Sequence, residues 1–544
     1  MKNAYEVIVV GTGPAGLLLA NILGRNGVRT LVLERDAGLS GQPKALNVDD
    51  EFFRLLHTLG LGPAMRSHAK FPISYDYISP LGQRLAFIQG RDTEHNFPNR
   101  AAIFQPEFER FLADHAMATG HVTILFDREV QALQNDGEIV SVRARNAAGA
   151  DFEYTAQYAV GADGGRSTCR KLLNIPLQQI DPFDVRHVVV DVRNDVDDSA
   201  LALTKMGWRR NFFSMPAPNG RRFEFSLLPG ESAEQLLDDA TLRRLFRPWR
   251  NYDQLDVIRK VVHTFRSCIA ETFQQGRVFL VGDAAHLMPI FGSQGMNSGA
   301  RDANNLGWKL VRVLRHGANP EILDSYQSER WNAVLETIRM ATANGKLQRV
   351  KSIPMSLLRD LVFGVLRLIP PAQRYIREMR YIPKPFLRSP LIAAGRESGQ
   401  KDELIGRVAP NPSVHHQGTI QSLDDLAGYG FAIIGLGVAT VPTALARLAD
   451  VLQARIILLS KADQPQSDSQ AQPAATSSTP VPAILTASLA DHRFDAIWQH
   501  YSGQWLLQRP DRIIAAAGPN DDFAATVENL TPLLSITRQH IPEH

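Results

Sequence analysis

YEVIVVGTGPAGLLLANILGRNGVRTLVLER, residues Tyr5 to Arg35, reads as strand, tight turn, helix, strand and terminal acid. The apolar run Val7 to Val10 meets Gly11-Thr12-Gly13-Pro14-Ala15-Gly16, a helical pattern follows from Leu17 to Asn26, and a second apolar run ends on Glu34. This order is that of a dinucleotide-binding βαβ unit. Gly11 permits the tight turn, Gly13 clears the space between backbone and diphosphate, and Gly16 lets the helix lie close to the sheet. The diphosphate is expected over the helix N-terminus, where unpaired N–H groups and the dipole favour negative charge. Glu34 is expected to accept from a ribose hydroxyl. A chance glycine-rich turn satisfies GxGxxG by itself, but here strands, helix and acid agree. The stretch leaves open whether the nucleotide is a nicotinamide carrier or a bound flavin.

Working outward, 544 residues allow two to four domains. A composition of 44% hydrophobic and 21% charged residues is that of a globular protein, and a net charge of +3 makes no case for nucleic acid. Two cysteines, Cys169 and Cys268, cannot build a disulfide framework or a thiolate metal site. No metal site is expected. The first strand begins at once, leaving no room for a signal peptide. Leu361 to Pro370 is short and interrupted by Arg367, so it reads as a packed helix rather than a membrane span. Cytoplasmic location is expected, and a homodimer is compatible with the sequence.

After Glu34, residues 49–59 carry helical periodicity with Gly60 as a stop. YDYISPLGQRLAF predicts a hairpin, and Gln105-Pro106 opens a helix. Four short runs, 122–126, 129–134, 139–145 and 152–158, predict a small antiparallel layer. Residues 159–163 return to a buried strand ending in DGGRSTCR, a second point of approach to a nucleotide. Residues 185–265 predict longer strands with a helical interval over 232–246, a substrate-facing sheet inserted into the nucleotide domain. Val278 to Val281 then leads to Gly282-Asp283, with a helix over 297–313, and residues 321–385 are mainly helical. From 406, FAIIGLG, ARIILLS, AILTA and DRIIAAAG alternate with helices in a compact α/β unit without CxxC. AQPAATSSTPVP, 471–482, predicts a flexible insertion.

Three separated segments thus agree: GTGPAGLLLA with Glu34, DGGRSTCR, and GRVFLVGDAAHLMPIFGSQGMNSGARDANNLGWKL. In this order and spacing the chain resembles the single-component FAD-dependent aromatic hydroxylases, the monooxygenases related to para-hydroxybenzoate and phenol hydroxylases. In GQPKALNVDDE, NRAAIFQPEFE, RRFEFSLLPGESAEQL, QRYIREMRYIP and RPDRIIAAA it is similar to the branch acting on 3-(3-hydroxyphenyl)propionate.

The resemblance implies an α/β fold: an FAD-binding, Rossmann-like domain of glutathione-reductase type with an inserted β-sheet substrate domain and a C-terminal thioredoxin-like domain lacking the redox pair. The expected divisions are 1–180 for the first part of the FAD domain, 181–270 for the substrate sheet (drawing in 71–100), 271–400 for completion of the FAD domain with a helical region, and 405–544 for the last domain. It implies a bound FAD held by Gly11, Gly13, Gly16, Glu34, Arg35, Lys44, Gln105, Asp163, Gly164, Arg170, Gly282 and Asp283, with NADH or NADPH as a transient cosubstrate. Pro289 is implied beside the flavin ring, and the backbone of Gly295, Met296 and Asn297 facing its pyrimidine edge, where donors stabilise negative charge. Lys44 stands where close relatives carry arginine, keeping the charge but losing the planar fork. Met296 replaces an aromatic residue, which bears on the substrate more than on the cofactor.

Plainer readings stand beside these. Asp283 fits a helix cap by spacing alone. His286 suits packing or a hydrogen bond better than metal binding, since no ligand cluster accompanies it. Arg166 is balanced between solvent and nucleotide. Tyr75, Tyr77, His187, Arg209 and Arg210 are candidates for the substrate pocket or its rim, and Met296 for the ring-binding region. A substrate carboxylate needs a cation, which singles out Arg209 and Arg210. The implied reaction is NAD(P)H- and O2-dependent ortho-hydroxylation of a small phenol, 3-(3-hydroxyphenyl)propionate or 3-hydroxycinnamate giving the 2,3-dihydroxy product. The alternatives are another phenol or heteroaromatic acid, or a flavin oxidase or dehydrogenase without oxygen insertion.

Overall fold

The computed structural model describes residues 5–350, 352–382, 386–393, 404–461 and 484–534. Its nucleotide unit is a six-stranded sheet in the order Gln274–Gln275, Val278–Leu280, Tyr158–Gly161, Val7–Val10, Thr30–Leu33, Val122–Leu125. Apart from the two-residue edge strand, neighbours run parallel. Val7–Val10 and Thr30–Leu33 are buried at every position, as a parallel sheet covered on both faces requires. The helix Pro14–Arg25 packs between the helices Gln105–Ala118 and Gly295–His316.

The small antiparallel layer holds three strands, Glu129–Asn135, Val140–Arg145 and Asp151–Ala156. The fourth run expected there, Val122–Leu125, instead pairs in parallel with Thr30–Leu33. A four-residue apolar run does not reveal its partner. The helix Gln105–Ala118 before it makes the crossover that parallel pairing needs.

The inserted sheet has eight strands: His286–Leu287, Asp256–Ala270, Leu177–Arg193, Gly220–Ser226, Phe212–Ala217, Leu201–Lys205, Ser74–Ile78, Arg84–Ile88. Strand alternation divides its faces. Val188, Val190 and Val192, with Phe212, Phe223 and Phe225, form a core with Leu236, Leu242 and Phe246 from the helices Ala233–Leu237 and Asp239–Phe246. His187, Val189 and Asp191 occupy the opposite face. There Arg222 pairs with Asp191 at 2.7 Å and donates to the carbonyls of Pro43 and Lys44, tying the sheet to the loop beyond Glu34.

The helix Ile353–Leu366 corrects an expectation. It is not packed by its apolar side: Leu358, Leu361, Val362 and Val365 are exposed, Leu361 at 64%, as is Leu368 just past its end. Its buried residues are Ser356 and Arg359, whose guanidinium pairs with Asp360 and donates to the Met206 carbonyl. Hydrophobicity alone does not say which side of a helix finds a partner. Pro370 also begins a helix, Pro370–Arg377, rather than only ending one. No helix among the described residues is long and apolar enough to cross a membrane.

The C-terminal sheet has seven strands, in the order Thr419–Ser422, Ser413–His416, Ile484–Leu489, Arg455–Ser460, Ala432–Leu436, Trp505–Gln508, Ile514–Gly518. The expected insertion at 471–482 lies outside the described residues. This unit joins the rest through buried charge. Arg509 is bidentate to Glu329 at 2.7 and 2.8 Å, Lys309 reaches Glu329 at 3.0 Å, and Arg509 also holds Asp511. Burial depresses the Lys309 ammonium to about 8 against the raising effect of Glu329. Arg54 grips Asp424 at 2.6 and 2.9 Å nearby. Removing one partner of such a pair strands the other's charge. Glu329→Gln should therefore lower unfolding free energy by about 3–5 kcal/mol, the range for broken buried pairs. Chemical denaturation checks this, and unchanged stability would show that the pair contributes nothing.

Candidate functional site

The site begins at the turn Gly11–Gly16. Gly11 has φ +108°, and a Cβ there would lie 2.5 Å from the Ala162 carbonyl oxygen. A Cβ on Gly16 would lie 2.3 Å from the Gly11 oxygen, so this glycine sets the approach of helix to strand. Gly13 faces open space, with nothing within 4 Å of an added Cβ. The helix starting at Pro14 has no side-chain cap on its first turn. Open space beside free N–H groups fits a diphosphate. Glu34 closes the second strand. Its carboxylate accepts from Thr12 N at 2.9 Å and Thr12 Oγ1 at 2.7 Å, while Arg35 is exposed beside Asp36.

The second and third motifs close on the first. Ala162, just ahead of Asp163-Gly164, touches Gly11, and Gly282 (φ +59°) lies against Ala15 and Gly299. Arg170 bridges the two later motifs, donating to Ala284 O at 2.7 Å and Gly165 O at 3.2 Å. Its guanidinium is spent on backbone carbonyls, so it braces the cradle. The Asp163 carboxylate likewise serves its own turn, accepting from Ser167 Oγ and Cys169 N. Gln105 accepts from Ala45 N and donates to Glu109 at 2.7 Å, holding the loop that carries Lys44. Lys44 is exposed, and its charge acts on both Glu109 and Asp283. Desolvation raises the carboxyl of the buried Glu109, and Lys44 opposes it; Asp283 is exposed, with the charges of His286 and Lys44 favouring its ionised form. Arg166 is exposed.

Asp302 lies behind Gly282. It accepts from Gly282 N at 3.0 Å, His286 Nε2 at 2.6 Å and Arg330 Nε at 2.7 Å. Burial raises its pKa, but His286 and Arg330 outweigh that and bring it to about 2. His286 thus has the hydrogen-bonding role expected of it. Pro289 is buried in the following loop, and the helix Gly295–His316 starts without a side-chain cap, leaving its first N–H groups free for a ligand. Met296 is half-buried at that start. Asn297 accepts from Asp49 N at 3.1 Å and donates to Ser293 O at 2.9 Å.

The sheet face opposite this cradle gathers Tyr75, Tyr77 and His187 but not the paired arginines. Arg209 is exposed, and Arg210 is tied to Glu231 and to the Ser226 carbonyl. Both lie beyond the strand end, in the turn between Leu201–Lys205 and Phe212–Ala217, away from the strand positions that carry Tyr75, Tyr77 and His187. A buried cation outside any strong sequence pattern is Arg100, which is 5% exposed. It stands 3.9 Å from Asp49, and its charge bears on the hydroxyls of Tyr75, Tyr77 and Tyr381. Burial pushes Tyr75 up to about 12 and raises Tyr77 as well, so both remain neutral donors. Glu224, bonded to His187, was also missed, because an acid in an alternating strand looks solvent-facing.

The FAD binding domain family model matches residues 4–341, and that of the HcaD C-terminal domain matches 406–532. The 3-(3-hydroxy-phenyl)propionate/3-hydroxycinnamic acid hydroxylase of Escherichia coli O157:H7 (strain EC4115 / EHEC) is 30% identical over 542 residues, 99% of this chain and 96% of that one. Among solved structures, OxyS anhydrotetracycline hydroxylase from Streptomyces rimosus superposes with a TM-score of 0.73 at 26% identity, covering 98% of this chain and 99% of that chain. The ternary complex of aklavinone-11 hydroxylase with FAD and aklavinone shares the fold, with a TM-score of 0.76 at 22% identity and coverage of 98% and 99%.

Two measurements test the cradle. Gly13→Ala places its methyl in ligand space, so thermal stability without FAD should hold while FAD affinity falls about ten-fold or more; Gly16→Ala should lower both, because its methyl meets backbone. FAD titration with thermal melts separates them. The depressed Asp302 contributes stability that is complete above the unfolded carboxyl value of 3.8 and is lost as pH falls toward about 2. Asp302→Asn should flatten that acid limb in pH-dependent unfolding.

Proposed function

The chain belongs to the FAD-dependent aromatic hydroxylases, and from that footing we propose that it ortho-hydroxylates a phenol bearing a short carboxylated side chain, with NAD(P)H and O2 as cosubstrates. The substrate is 3-(3-hydroxyphenyl)propionate or 3-hydroxycinnamate, and the product its 2,3-dihydroxy form. The observation that carries this reading is the convergence of three motifs on one cradle, Gly11 on Ala162, Gly282 on Ala15 and Arg170 on Ala284. A phenol-compatible face of Tyr75, Tyr77 and His187 lies opposite. The E. coli relative's name supports the choice of acid.

Gly11, Gly13, Gly16 and the first turn of the helix from Pro14 would hold the FAD diphosphate, Glu34 the adenosine ribose, and Lys44 and Asp283 the middle of the molecule. FAD held there would supply the oxygen-activating chemistry, with NAD(P)H as the reductant and O2 as the source of oxygen. The N–H groups of Gly295, Met296 and Asn297 stabilise negative charge at the helix start. Pro289, Phe291 and the aromatic residues of the sheet exclude water around the ring. Arg100 receives the substrate carboxylate, with Tyr75 and Tyr77 as neutral donors beside it. The C-terminal unit is read as a thioredoxin-like domain that carries no thiol pair, both cysteines lying outside it.

Oxygen uptake matched to a product heavier by one oxygen atom tests the reaction; peroxide in step with NAD(P)H oxidation and an unaltered phenol would overturn it. A hydrogen bond to a charged group is worth about 1.5–3 kcal/mol. Arg100→Met should therefore raise KM for carboxylated phenols by about ten-fold or more and leave uncharged phenols within about two-fold. Arg209→Ala should leave both unchanged. Equal effects of Arg100→Met on both phenol classes would remove the carboxylate role.

A further inference from the structure

Resting on the hydroxylase reading and deepening it, we propose that His187 is the base that takes the substrate's phenolic proton, with Glu224 as its positioning residue. His187 lies on the sheet face turned toward the nucleotide unit and is fully buried. Its Nδ1 is 3.1 Å from Glu224 Oε2. An ionised carboxylate only accepts, so Nδ1 carries the hydrogen and Nε2 the lone pair. That Nε2 is buried and has no hydrogen-bond partner among the described residues. An unmet imidazole nitrogen in a folded interior calls for a partner, and a ligand hydroxyl is one that can supply it.

The surroundings specify the ligand. The ring of Phe213 stacks on His187 at 5.3 Å, and Phe265 and Phe291 meet it edge-on at 5.8 and 6.4 Å. Phe291 comes from the loop between Pro289 and Gly295, so the enclosure adjoins the third motif. The three aromatic rings keep water from the imidazole, and the free nitrogen suits the hydroxyl of a phenol reaching it from the nucleotide side. The charged and titratable groups around it are Glu224 and Arg222 on one neighbouring strand, His263 and Arg259 on the other, Asp191 on its own strand and Arg349 over Phe291. Asp191 neutralises Arg222 and sits 3.8 Å from Arg259. His286 also has an unmet nitrogen, but it is enclosed with Asp302 and Phe273.

In the step, the phenol O–H bond breaks, the proton bonds to Nε2, and the electron pair stays on the phenolate oxygen, activating the ortho carbon toward electrophilic oxygen. The imidazolium keeps its Nδ1–H on Glu224. After oxygen transfer the ring carbon loses its proton to solvent, aromaticity returns, and His187 gives its proton back to the phenolate oxygen. His187 itself is neither oxidised nor reduced.

The test uses FAD-loaded wild-type, His187→Gln and Glu224→Gln proteins with 3-(3-hydroxyphenyl)propionate, read by the ultraviolet difference spectrum of bound phenolate and by kcat and KM across pH. Wild type should show phenolate at neutral pH. His187→Gln should bind the phenol within about five-fold, lose the phenolate signal until the pH is raised, and lose about a hundred-fold in kcat at neutral pH, in line with general base catalysis. Glu224→Gln should move the same way by about ten-fold. A structural role alone would lower thermal stability and leave the phenolate signal and pH profile in place, and that result in either folded variant overturns the proposal. Should wild type neither bind nor hydroxylate this phenol, the substrate reading fails instead. The same spectral comparison made with 4-nitrophenol, whose phenolate is coloured, then decides the role of His187.

Discussion

The structure depends on backbone approaching backbone without side chains in between. Gly11 against Ala162, Gly16 against Gly11, and Gly282 against Ala15 and Gly299 bring two uncapped helix starts and three strand ends to one point. Each contact would be lost to a single methyl group. The reward is a concentration of unpaired N–H groups in a place where an anionic ligand, and not solvent, completes them. The buried Asp302, held by His286 and Arg330, fixes Gly282 from behind.

That cradle was the most legible part of the chain. Glycines at fixed offsets, a proline at the first helical position and an acid at the end of the next strand are local signals, and each reports backbone geometry directly. The face of the inserted sheet was half legible. Alternation placed Phe223 and Phe225 in the core and Tyr75, Tyr77 and His187 as candidates. It did not tell that Arg209 and Arg210 lie in a turn, nor that Arg100, outside any strong periodic pattern, is buried among tyrosines. Charge in a sequence carries no sign of its partner, and pairings such as Arg100 with Asp49 or His187 with Glu224 span tens of residues.

The same lesson holds for Ile353–Leu366, where apolar composition misled because the side that packs is polar. Two anchors, Ser356 and Arg359, hold the helix, and its leucines face outward. Likewise Val122–Leu125 joins the parallel sheet because of the helix that delivers it, a long-range fact invisible within four residues. In both cases the deciding partner lies far off in the sequence.

The join between the C-terminal unit and the rest has a consequence for shortening the chain. Glu329 and Lys309 belong to the nucleotide half, yet the guanidinium of Arg509 that balances them comes from the last unit. A protein cut near residue 404 would keep the Lys309–Glu329 pair but strip the Arg509 fork from that carboxylate, and would bare Arg54 where Asp424 had stood. The last 140 or so residues, on the scale of one ordinary domain, are thus not a detachable appendix. A truncated enzyme would need Glu329, Lys309 and Arg54 rewritten for water before it could stand alone.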